Sequence, residues 1–77
     1  MTDFQRAVLK MLGPSTAART VFSLASEHYN EVYPNRGQRA AVARALLDLH
    51  RDGKVASWIE QDSLGRMRKT YWWRKRP

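Results

Sequence analysis

Four breaks punctuate this chain: Gly13-Pro14, Pro34, Asp52-Gly53 and the run Asp62-Ser63-Leu64-Gly65. Proline lacks the amide hydrogen that a helix interior needs, and glycine takes the left-handed backbone that ends a helix. No regular element can run through these points. The five stretches between them are each short enough to form a single element.

The first three stretches read as helices. Phe4, Ala7, Val8, Met11 and Leu12 recur at the i, i+3, i+4, i+7, i+8 spacing of one helical face, behind Thr2 or Asp3 as a cap. A helix over about 3–12 is predicted. Thr20 can cap a second helix over about 20–30, with Ser15 its earliest start. Val21, Leu24, Ala25 and His28 share one stripe of it, and Phe22, Tyr29 and Tyr33 lie on a neighbouring one. The third helix, over about 36–52, has the clearest signature. Asn35 caps, Gln38 stands three residues on as a capping box, and Val42, Ala45, Leu46 and Leu49 form the inward stripe. Arg36, Ala40, Arg44 and Arg51 lie opposite that stripe.

The last two stretches, about 54–61 and 66–74, are rich in Val, Ile, Thr, Tyr and Trp and read as a β-hairpin. A three-residue loop, with Ser63-Leu64 in a type I turn and Gly65 left-handed in a G1 bulge, sets one register. Residue 62 then faces 66, Glu60 faces Arg68, and Val55, Ala56 and Ser57 face Trp73, Trp72 and Tyr71. That register turns Val55, Ile59, Tyr71 and Trp73 toward the helices and leaves Trp58 and Trp72 on the other face. A loop of even length swaps these roles. The expected fold is α+β, three helices followed by a C-terminal two-stranded hairpin, in one domain over 1–77.

With 77 residues and no cysteine, neither a disulfide framework nor a thiolate metal site supports the core. No apolar run approaches the ~18 residues of a membrane span, and the N-terminus lacks the pattern of a signal peptide. No membrane association is expected, and the expected location is the cytoplasm of a bacterium or a phage-infected cell. His28 and His50 have no ligand partner at metal spacing and read as partly buried helix residues. No nucleophile motif or glycine-rich phosphate loop occurs. The chain is expected not to be an enzyme and to take no metal, cofactor or small-molecule ligand.

The charge gives the functional clue. Fourteen Lys and Arg against seven Asp and Glu give a net charge of +7 and pI ≈ 10.6, which favours an acidic partner. The positive charge is clustered: half of the basic residues lie at Lys54 or beyond, alongside only Glu60 and Asp62 as acids.

The order helix, connector, helix, helix, hairpin resembles the winged helix-turn-helix domains. The stretch "VARALLDLHRDGKV", with Val42, Leu46, Leu49, Gly53 and Val55, is similar to their third helix and its exit. Ala43 and Leu47 stand where the Z-DNA-binding subfamily has Asn and Tyr, and its paired prolines are missing, so left-handed DNA is not implied. The resemblance implies a third helix in the major groove of duplex DNA and a hairpin wing on the backbone. It also implies a small regulator similar to phage repressors and excisionases, with no separate sensor domain.

Residues are assigned to these roles by chemistry. On the first turns of the third helix, Arg36, Gln38, Arg39 and Arg44 can meet base edges or phosphate. Ala40 and Ala43 allow close approach and can meet a thymine methyl. Arg66, Arg68, Lys69, Arg74, Lys75 and Arg76 supply the wing and tail. Leu47, Trp58 and Trp72 form a candidate protein interface, compatible with a homodimer. Two alternatives stay open: a protein-interaction module using that apolar face, and an RNA or single-strand binder that stacks bases on the tryptophans.

Overall fold

A computed structural model describes residues 1–13, 18–61, 64–65 and 68–75. Helix α1 spans Asp3–Leu12 and opens on a reciprocal cap: the Gln5 amide N–H donates to Thr2 Oγ1, and the Thr2 N–H donates to Gln5 Oε1, both at 3.1 Å. Helix α2 spans Val21–Tyr29 behind the N-cap Thr20, and Asn30, left-handed at φ 54°, ends it. Helix α3 spans Arg36–Arg51.

Both ends of α3 are closed by local chemistry. At the start, Asn35 Oδ1 accepts from the Gln38 amide at 2.8 Å while the Asn35 amide donates to Gln38 Oε1 at 2.9 Å. At the other end, Gly53 at φ 74° lets the Gly53 and Lys54 amides turn back to the carbonyls of His50 and Leu49. That is the Schellman arrangement, in which glycine avoids the Cβ clash of the left-handed region. Asn35→Ala is therefore expected to cost about 1 kcal/mol. In a domain of this size such a loss lowers the melting temperature by roughly 4–8 °C, which thermal denaturation followed by circular dichroism will measure.

The helices meet along the inward stripes. Val8 and Leu12 of α1, Leu24 and Ala25 of α2, and Val42, Ala45, Leu46 and Leu49 of α3 are all buried. Phe4, Leu9, Met11, Val21 and Tyr29 pack around this cluster. Among the described residues no polar or charged side chain is buried, so stability comes from apolar burial. One polar tie joins two helices at the margin, where Gln5 Nε2 donates to Asp48 Oδ2 at 3.2 Å.

The β portion differs from the expected two-stranded hairpin. A short strand β1 (Arg19–Thr20) joins β2 (Val55–Gln61) and β3 (Arg68–Arg74) in a three-stranded antiparallel sheet of order β1-β3-β2. Two residues are too few to show an alternating pattern, and their partners, Trp72 and Tyr71, are more than fifty positions away. Local sequence signals do not report such a pairing.

The hairpin register is also shifted by one residue. Val55, Ala56, Ser57 and Trp58 face Arg74, Trp73, Trp72 and Tyr71, and Glu60 faces Lys69 rather than Arg68. A one-residue slip exchanges the faces of the sheet. Trp72, 6% exposed, is therefore the core tryptophan, with Val55 beside it. Tyr71 and Trp73 turn to the opposite face together with Trp58, and Ile59 is exposed rather than buried. The register expected from a three-residue bulged loop is therefore not the one observed between the strands. Gly65 does take a positive φ, 69°, but Asp62, Ser63, Arg66 and Met67, on which the loop reading depended, lie outside the described residues. The two histidines are exposed rather than partly buried. Each nevertheless stacks edge-on against an aromatic ring, His28 on Phe4 and Tyr29, His50 on Trp72.

Candidate nucleic-acid interface

Arg19 sets the position of the second helix. From β1 its guanidinium donates to Ser23 Oγ at 3.3 Å and to the carbonyls of Met11 and Ser23 at 3.4 and 3.2 Å. It also pairs with Glu27 at 2.7 Å. Planar, multi-donor geometry of this kind suits arginine and not lysine. The end of α1, strand β1 and the whole of α2 are thereby held together, and the start of α2 is brought against the start of α3.

Between those two helix starts lies an open groove of ≈ 460 Å³, lined by Val21 and Phe22 of α2 and by Arg36, Arg39, Ala40 and Ala43 of α3. A second hollow of ≈ 670 Å³ continues from it toward the sheet. Thr20, Val21, Phe22 and Arg39 form one side, and Arg68, Lys69 and Thr70 of β3 form the other. Arg39, Val21 and Phe22 belong to both, so the outer face of α3 and the start of β3 border one continuous concave strip.

No carboxylate among the described residues pairs with the charges along this strip, although Arg39 Nε donates to the Asn35 carbonyl at 3.5 Å. Of the other described arginines, Arg6 lies by Asp3, Arg19 by Glu27, and Arg44 and Arg51 by Asp48, while Arg74 has no ion pair among the described residues. Among the described residues Arg36, Arg39, Arg68 and Lys69 make no ion pair. All four are exposed. Helix α3 also carries no acidic residue in its first turn, so nothing there offsets Arg36 and Arg39.

The other candidate residues fall into three groups. Gln38 turns its side chain to the cap of α3 and does not line the strip. Arg44 is exposed but leans toward Asp48, with Nε 3.8 Å from Oδ1. Arg74 and Lys75 are exposed at the far end of β3, and Arg66 and Arg76 lie outside the described residues. Leu47, 53% exposed, and Trp58, 62% exposed, stand free of the core. Trp72 does not: its burial removes it from any protein interface.

Residues of the strip that sequence reasoning did not assign to a site are Thr20, Val21, Phe22 and Thr70. Phe22 carried a signal, since it falls off the inward stripe of α2 and is 44% exposed. Thr70 carried none, because its place depends on the sheet register. Among the described residues no cluster of His, Asp or Glu could hold a metal ion, and no helix is long and apolar enough to cross a membrane. No protein-family model, curated protein or solved structure matches the chain.

Proposed function

We propose that this chain binds duplex DNA and serves as a small regulator of transcription or phage recombination. The observation that carries the reading is the convergence of Arg36 and Arg39 with Arg68 and Lys69 around one concave strip, none of them in an ion pair among the described residues. The third helix presents small side chains, Ala40 and Ala43, between its arginines, which permits close approach to base edges in a major groove. Arg36 and Arg39 can each grip a guanine edge through two hydrogen bonds or neutralise a phosphate. Arg68 and Lys69 then take the backbone alongside, with Arg74 and Lys75 further along β3.

Counterion release supplies the test. Six cations on phosphate, these four with Arg74 and Lys75, predict that log Kd changes with log salt by a slope of about 5. Fluorescence anisotropy of labelled duplex DNA of random sequence, titrated at several salt concentrations, measures it. A slope near that value supports the reading and justifies selecting a preferred site from a random pool. Lack of binding at low salt would overturn it.

A further inference from the structure

The face of the sheet turned away from the helices carries three aromatic side chains that the duplex reading does not use. Trp58 and Tyr71 stand opposite one another on β2 and β3, and Trp73 follows two positions along β3. Trp58 is 62% exposed, and Tyr71 and Trp73 are half-buried, each keeping part of its ring open to solvent. We propose that this face is a second nucleic-acid site, one that stacks the unpaired bases of a single strand on Trp58, Tyr71 and Trp73.

Spacing, shape and charge all support that occupant. Residues two apart on a strand lie about 6.8 Å from each other, which is two steps of a nucleic-acid strand at ~3.4 Å per base. Alternate bases, with one nucleotide between them, can therefore meet Tyr71 and Trp73. Ala56, directly opposite Trp73, leaves the approach to that indole open. The cations stand at the margins, where a sugar–phosphate backbone runs past stacked bases. Lys54 and Lys75 form the next rung of the ladder beyond Val55 and Arg74, with the Lys75 amide donating to the Lys54 carbonyl at 3.1 Å. Lys69 lies beyond Tyr71 at the other end, opposite Glu60. Aromatic surface with flanking positive charge matches a polyanion carrying exposed π-faces better than it matches a second copy of this equally basic chain.

The aromatic platform does not rest on the duplex reading, since Trp58, Tyr71 and Trp73 take no part in it, although Lys69 and Lys75 border both surfaces. Tryptophan emission of the whole chain, titrated with single-stranded oligothymidylate, is expected to be quenched. Trp58→Ala is expected to weaken that binding at least about tenfold, Trp58→Phe to restore most of it, and neither to change duplex affinity by more than about twofold. Because Trp58 is exposed and outside the core, both variants are expected to fold, which their thermal melts will verify. The proposal is overturned by absence of quenching, or by an equal loss of single-strand and duplex binding in Trp58→Ala. It is also overturned if sedimentation shows a dimer of the free protein that Trp58→Ala dissociates, since a second copy would then be the occupant.

Discussion

Replacing Trp72 with alanine is expected to leave the protein largely unfolded at 37 °C, whereas phenylalanine at the same position is tolerated. Trp72 closes the core against Val55, Leu49 and their neighbours. Truncating a buried tryptophan to alanine costs about 3–5 kcal/mol through lost burial and the cavity left behind. Domains near the lower size limit have little more than about 5 kcal/mol in total. Phenylalanine keeps most of the ring. The N–H it removes is not missed, because Trp72 Nε1 is buried with no hydrogen-bond partner among the described residues. A reduction of only about 1–2 kcal/mol is therefore expected for the smaller ring. Trp73→Ala supplies the contrast. It lies on the opposite face and should cost less than half as much as Trp72→Ala. Urea denaturation of the three variants decides the matter: if Trp73→Ala is the most damaging, the tryptophans have exchanged faces and the hairpin register is wrong by one residue.

That the two tryptophans could not be told apart beforehand has a physical reason. Hydrophobic alternation fixes register only when neighbouring residues differ, and Trp72 and Trp73 are the same residue. The choice passes to the turn, and a stretch such as Asp62–Gly65 is compatible with loops of odd or even length. Tertiary fit decides instead, as β1 pairs with β3 at Arg19 and Thr20 and one indole closes the core. The helices posed no such ambiguity. Thr20 and the pair Asn35 and Gln38 mark the starts of α2 and α3, Thr2 rather than Asp3 caps α1, and the inward stripe of α3 is the one that periodicity indicated. The candidate site divides along the same line. Arg36, Arg39, Ala40 and Ala43 were legible because a single helix orders them. Phe22 and Thr70 join them only through the packing of α2 and the register of β3. Gln38 shows the limit of residue type as a guide, since its amide serves the cap of the helix whose outer face it was expected to serve.

Reversing the charge of Arg36 and Arg39 together, as Arg36→Glu/Arg39→Glu, is expected to weaken duplex binding at least about a hundredfold at moderate salt. Each guanidinium on a base edge or phosphate is worth roughly 1–3 kcal/mol, and the glutamates add repulsion from the same phosphates. The salt slope should fall by about two, one for each phosphate no longer neutralised. A control separates this local effect from the global one. Arg6→Glu/Lys10→Glu changes the net charge equally, from +7 to +3 because each of the two replacements subtracts two, but places the change on α1, outside the concave strip. If the strip is the interface, the α1 variant loses only the modest share that long-range attraction contributes, which is screened within about 8–10 Å at ordinary ionic strength. Folding should survive in both variants, because all four side chains are exposed. Removing arginine from the first turn of α3 in favour of glutamate also suits the helix dipole, by about 0.3–1 kcal/mol per residue. The α3 variant should therefore melt no lower than the unsubstituted protein while binding far less DNA. Equal losses in the two double variants would mean that net charge, and not this surface, holds the DNA.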